Sequence, residues 1–336
     1  MAESTERFVV YQLNNITLDL IKSQLSNDFN TVIKYTEDSN YPTEYYKNMW
    51  LDIKGEQNFE IKNITLKEND NTLKYIYANG LFESGVGKDK AIINDELLPK
   101  NARIFNHNVD VCFFEKDSNI YSIIKINSSL EGRMRNVLFK FLDCDGKRMK
   151  RPKYNNVLNY TIATDFYYWI FYKSITTDTN NDITFFNISS LSQKDKVKAY
   201  NANSVGNDIL NYTNVLSGLG EQQEISDVEI GLNYKGSQIV LQIQKDCRIT
   251  VSIDSKKLKV NYSEIDFIQT SIFIYLDLIP ELFKLYNREK DLGLWNEEVS
   301  STSIKEWALL AITNLCLVND IEISEIESKI EEIEAD

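Results

Sequence analysis

The only histidine in the chain, His107, lies between Asn106 and Asn108. Serine and cysteine hydrolases commonly set a histidine base beside their nucleophile. Neither a G-x-S-x-G turn nor a catalytic-cysteine signature accompanies His107, so it reads as a loop or surface residue with no catalytic part. The four cysteines, Cys112, Cys144, Cys247 and Cys316, have no two members closer than 32 residues. That spacing builds neither a zinc knuckle nor a redox pair.

A phosphate-binding loop needs G-x4-G-K-S/T, so that backbone amides wrap the phosphates and a hydroxyl reaches the metal. Gly80 to Asp89 comes nearest, but Phe82 stands where the first glycine belongs and Asp89 replaces the hydroxyl residue. A turn is expected there. Leu216 to Glu221 (LSGLGE) reads as a flexible loop, not a dinucleotide turn. Two or three carboxylates and a lysine can hold Mg²⁺ against a phosphodiester. Asp227 and Glu229 with Gln242, Gln244 and Lys245 have Ile243 where the next acid should be, and Asp143 and Asp145 are the other acidic pair. No metal site and no cofactor is expected, and the chain reads as non-catalytic.

Two segments stand out. The first, Glu131 to Lys153, holds four of the eight arginines, Arg133, Arg135, Arg148 and Arg151, with Lys140, Lys147, Lys150 and Lys153. Asp145-Gly146 is a preferred two-residue hairpin centre, because both positions need positive φ. A hairpin there sets Asp143 opposite Arg148 and spreads basic residues over both faces of the returning strand, which a core strand cannot do. The expectation is an exposed cationic ribbon over 133–153. It is either an edge kept from aggregating by its charge, or a contact for nucleic acid or an acidic partner through Arg133, Arg135, Lys147, Arg148, Lys150, Arg151 and Lys153. The second segment, Asp320 to Asp336, carries eight acids and one lysine. Ile323, Ile326, Ile330 and Ile333 recur at 3-4-3 spacing, one apolar seam along a helix that either docks on its own domain or contacts another subunit.

The elements that must position these residues read as α+β. Residues 1–153 form a β-rich N-terminal domain. They include a strand from Phe8, a helix carrying Leu18, Ile21 and Leu25, a strand near 59–66, and a hairpin of Val111–Phe114 with Ile120–Ile126. Residues 154–336 form an α+β domain. It opens with the apolar run Phe166–Tyr172, read as a mostly buried helix with a buried strand as the alternative, stays polar and turn-rich over 174–225, and continues as an antiparallel meander of four strands over 228–260. Helices follow at 263–290, kinked at Pro280, at 303–317, opened by the capping box Ser303-Ile304-Lys305-Glu306, and at 323–335.

The chain has 336 residues with a net charge of −13 and a sequence pI near 4.8. An acidic body repels nucleic acid, so any such contact is confined to the basic segment. No signal peptide and no membrane-spanning run is read, which places the chain in the cytoplasm. Heavy use of Asn, Ile and Lys points to an AT-rich bacterial or phage genome. The expectation is therefore an acidic, cytoplasmic, non-catalytic binding protein. It would be a subunit or oligomer in a larger assembly, with other protein subunits or its own copies as partners, DNA or RNA as a further one, and a place in host–phage conflict such as antiviral defence. Two alternatives are a metal-dependent nuclease whose carboxylates come from distant segments, and an acidic DNA mimic.

Overall fold

The computed structural model describes residues 4–37, 41–66, 71–140, 149–150, 162–176, 182–194 and 201–335. Two compact units divide the chain, and both are discontinuous. The first joins Glu6–Tyr160 to Asn261–Asp277. The second joins Met1–Thr5, Thr161–Val260 and Leu278–Asp336.

In the first stretch the elements are β1 (Thr5–Leu13), α1 (Leu18–Leu25), β2 (Thr31–Val32), α2 (Lys34–Glu37), β3 (Tyr45–Tyr46), β4 (Asn48–Leu51), β5 (Lys62–Leu66) and β6 (Asn71–Gly85). They continue as α3 (Lys88–Ala91), β7 (Ile92–Ile93), β8 (Glu96–Leu97), α4 (Lys100–Arg103), β9 (Ile104–Lys116), β10 (Asn119–Lys125), α5 (Ser128–Leu138) and β11 (Met149–Lys150). The main sheet of this unit runs β1-β10-β9-β6-β4, with β5 also on β6 and β11 on β1, every pairing antiparallel. The β9–β10 hairpin turns at Asp117 and Ser118, both at positive φ (49° and 62°), the conformation a two-residue turn requires.

Period-two alternation sends Val9, Tyr11, Ile76, Ala78, Val109, Val111 and Phe113 to one face. There they meet Leu18, Ile21 and Leu25 of α1 and Met134 and Leu138 of α5. Gly80 on β6 makes this packing close: a methyl group there would sit 2.5 Å from Leu138 Cδ1 and 2.8 Å from Val109 Cγ1. Trp50 packs edge-on against Phe139 and donates from Nε1 to the carbonyl of Leu138 at 3.2 Å, pinning the end of the helix. Phe8 points to the opposite face, where its ring stacks on Phe267, 6.1 Å between centroids. Both faces of β1 are therefore covered, which is why Phe8 to Tyr11 read as one unbroken apolar run.

The second stretch gives α6 (Thr164–Ile175), β12 (Ile183–Lys194), β13 (Asn201–Val205), α7 (Thr213–Gly220), β14 (Glu224–Tyr234), β15 (Ser237–Gln244) and β16 (Ile249–Ser252). These strands order as β13-β12-β14-β15-β16. On β15, Ser237, Ile239, Leu241 and Ile243 are buried and their neighbours are not, a clean alternation. The chain then crosses α8 (Asp266–Ile272) and a π-helical turn (Phe273–Leu278) before α9 (Ile279–Asp291), α10 (Glu297–Asn319) and α11 (Ile323–Ala335). In α6, Phe166 to Phe171 are all buried. Tyr167 donates to the carbonyl of Ile243 at 3.2 Å and Tyr168 to that of Gln223 at 3.0 Å, so each phenol serves a buried backbone acceptor. Trp169 Nε1 and Lys173 Nζ converge on buried Glu289 of α9 at 2.8 and 2.9 Å.

The α+β class expected from the sequence is the class observed, and several elements within it differ. Residues read as turn-rich between 174 and 225 include the twelve-residue strand β12 and the helix α7. Three register shifts in β12 against β14 break the two-residue period that would have revealed it. The supposed loop Leu216–Glu221 is the end of α7, where Gly218 lies against the Gln193 side chain. The fourth meander strand is reduced to a single bridge, Gln238 to Lys257. Pro280 sits in the first turn of α9. Its missing N–H leaves the carbonyl four residues back without a helical donor, and the preceding turn widens into π form instead of kinking one helix. Ser303 is no cap: α10 starts earlier, where Asn296 accepts from the Val299 N–H at 2.9 Å, and the Ser303 hydroxyl donates to the carbonyl of Val299.

Candidate interaction surfaces

From Trp307 to Asn319, α10 carries no charged residue. One stripe of it, Ser303, Trp307 and Ala311, is buried. Trp307 stands 6.0 Å from the ring of Tyr168, and Gly220 of α7 brings the two helices so close that a methyl group there would fall 2.7 Å from Ala308 Cβ. Helical geometry puts Leu309 and Ile312 on the side opposite this stripe. Both are exposed, as are Leu310, Leu315, Leu317 and Val318, the last two at 73% and 81%. A helix apolar all round is normally buried all round.

Asp320, at φ 53°, closes α10 in a left-handed cap, and the Ile321 N–H returns to the carbonyl of Cys316. The four seam isoleucines then recur along α11. Ile323 and Ile333 are 74% and 70% exposed, Ile330 is also exposed, and Ile326 is half-buried. Lys329, the single base of the tail, is tied to Glu332 at 2.5 Å. The sequence signalled the α11 seam by its spacing. The bare face of α10 went unread, although its uncharged length was the signal.

The basic segment divides. Arg133 and Arg135 belong to helix α5, not to a ribbon. Leu130, Met134 and Leu138 at four-residue spacing drive that helix onto the sheet. Arg133 is exposed. The guanidinium of Arg135 lies over the Tyr11 ring, 5.2 Å from its centroid. Beside it Glu131 pairs with Arg7 at 2.8 Å and accepts from the Tyr11 hydroxyl, which makes Arg135 part of the packing between α5 and β1. Lys150 follows Met149 on β11, whose backbone pairs with Leu13 and Gln12 of β1. Lys147, Arg148, Arg151 and Lys153, with the Asp145-Gly146 turn and the Asp143/Asp145 pair, lie outside the described residues.

His107 is on strand β9, opposite Phe82 of β6, and not in a loop. Its Nε2 shares a 2.7 Å hydrogen bond with Ser84 Oγ, and its ring stands 5.0 Å from that of Phe82. Burial, and secondarily the charge of Arg133, lower its pKa, which favours the neutral ring. A cavity of about 340 Å³ adjoins it, lined also by Lys47, Met49, Leu81, Glu83, Asn106 and Asn108. Among the described residues no carboxylate bonds the other ring nitrogen, and Ser84 is buried. The pair is a cross-strand polar bridge, without the orienting third group a nucleophilic serine uses.

Also among the described residues, no three His, Cys, Asp or Glu side chains gather in a metal-binding arrangement, and no helix is long and apolar enough to cross a membrane. Compared with known proteins, the chain matches no family model and no curated sequence.

Proposed function

We propose that this chain is a non-catalytic interaction protein that works as a subunit of an assembly, and that a second copy of it docks on the outer face of α10. The observation that carries the reading is the exposed aliphatic surface from Leu309 to Val318. Monomeric soluble proteins rarely leave apolar patches of more than a few hundred Å² bare. A second copy suits this face because Trp307–Asn319 holds no charge, so like faces meet without repulsion. An isologous antiparallel pairing of α10 with its twin also keeps the two acidic tails at opposite ends of the contact.

The test is solution mass by light scattering across a wide concentration range. The expected result is a species of twice 39.0 kDa that falls to the single mass in the double variant Leu309→Glu/Ile312→Glu, with helix content unchanged. A single mass for the unaltered chain at every concentration would sink the reading.

Contact of the basic segment with a polyanion is a separate proposal. What supports it is Arg133, exposed on α5 with no described carboxylate paired to it. Replacing Lys147, Arg148, Lys150 and Arg151 with Ala should lower the salt slope of DNA or RNA binding by about one per residue that meets a phosphate.

A further inference from the structure

We infer that the isoleucine seam of α11 is a docking site for a basic amphipathic helix of a different protein. This builds on the reading of the chain as an assembly subunit, and concerns a surface separate from α10.

Taken as a heptad, Ile323, Ile326, Ile330 and Ile333 occupy the a and d positions, the seam two helices share. Glu322 and Glu327 fall on the flanking g and e positions, and Lys329 is the only base among the flanks. That lysine is already held by Glu332 on its own helix. The seam is open along its length: Ile323, Ile330 and Ile333 are exposed, and only Ile326 is half covered.

The charge of the tail chooses among occupants. Eight acids to one lysine make a second α11 an unfavourable mate, since pairing two copies concentrates like charge. A nucleic acid is repelled for the same reason. A helix with Leu or Ile at a and d and Lys or Arg at e and g covers the isoleucines and neutralises the glutamates in one docking event. Thirteen residues give α11 fewer than two full heptads, too short for a stand-alone coiled coil. A partner contact of modest affinity is the use such a seam suits.

The test titrates the full-length chain into a labelled three-heptad peptide with Ile and Leu at a and d and Lys at e and g, read by fluorescence anisotropy. Two control peptides accompany it, one with Glu at e and g, the other with the Lys peptide's composition in scrambled register. The expected result is binding of the Lys peptide alone, weakened by high salt and weakened at least about tenfold by Ile326→Asp/Ile330→Asp. Equal binding of the scrambled peptide would reduce the effect to bare charge and overturn the proposal, as would no binding at all or an unaffected double variant.

The same variants separate the two readings. Ile326→Asp/Ile330→Asp should leave the light-scattering mass unchanged, while Leu309→Glu/Ile312→Glu should leave peptide binding unchanged. If the seam variant lowers the mass instead, the tail is a self-association surface and the basic-partner inference fails.

Discussion

At the scale of a residue, the clearest case is His107. Its isolation from any nucleophile signature was legible in the sequence. Its partner was not, because Ser84 is brought to it only by the β6–β9 register. The lowered pKa has a consequence for stability. An unfolded chain binds a proton at an ordinary histidine value of 6.5, while the folded ring resists it. Over the window between the folded and unfolded values the unfolded state holds more protons, so stability falls as pH falls from about 6.5. His107→Gln keeps a hydrogen-bonding group for Ser84 and removes the titration. The difference in unfolding midpoint between about pH 7.5 and about pH 5 should therefore be smaller in the variant than in the parent. Denaturant melts at the two pH values measure it. Equal differences would show that the imidazole proton has no part in acid sensitivity.

Elements were legible where one face is buried and the pattern keeps its period. The alternation of β15 and the spacing of Leu18, Ile21 and Leu25 in α1 each have a single reading, and the structure shows it. Strand β12 was hidden because its shifts in register exchange the two faces within twelve residues. Helix α5 is masked in the sequence by its charge: Arg133 and Arg135 flank Met134, which with Leu138 decides the packing. How closely α5 rides on the sheet is set by the absent side chain of Gly80. Leu138 is fully buried there, so its side chain meets the added methyl group inside the packed core. Gly80→Ala should therefore cost about 1–3 kcal/mol in denaturant unfolding, the usual result of overpacking a core. Combining it with Leu138→Ala should cost less than the sum of the two single changes, because the smaller residue makes room for the added methyl. Strict additivity would mean that the helix yields elsewhere.

For the whole molecule, the way the chain threads its two compact units was not legible in the sequence. The first unit takes 261–277 back after the hundred residues Thr161–Val260 spent on the second. Nothing local in the sequence marks such a return; residues 263–290 read there as one helix kinked at Pro280. Phe267 is the hinge of this arrangement in energetic terms, stacked on Phe8 and 6.2 Å from the ring of Tyr77. Phe267→Ala should cost the first unit about 3–5 kcal/mol. Hydrogen exchange would localise the loss: amides of β9 and β10 should exchange faster while those of β14 and β15 keep their protection. Protection lost equally in all four strands would show that the two units open as one.

That late return bears on how the protein is made. A ribosome releases Phe8, Tyr77 and the strands around them long before it reaches Phe267. At ~5–20 residues per second the interval between residues 160 and 277 lasts about 6–23 s. Throughout it the nascent sheet shows water an apolar face at Phe8 and Tyr77 that the later segment carrying Phe267 covers. Chains stalled or truncated in that interval are the ones that holdase chaperones should bind and proteases should clear, whereas the folded protein offers them no such face at Phe8.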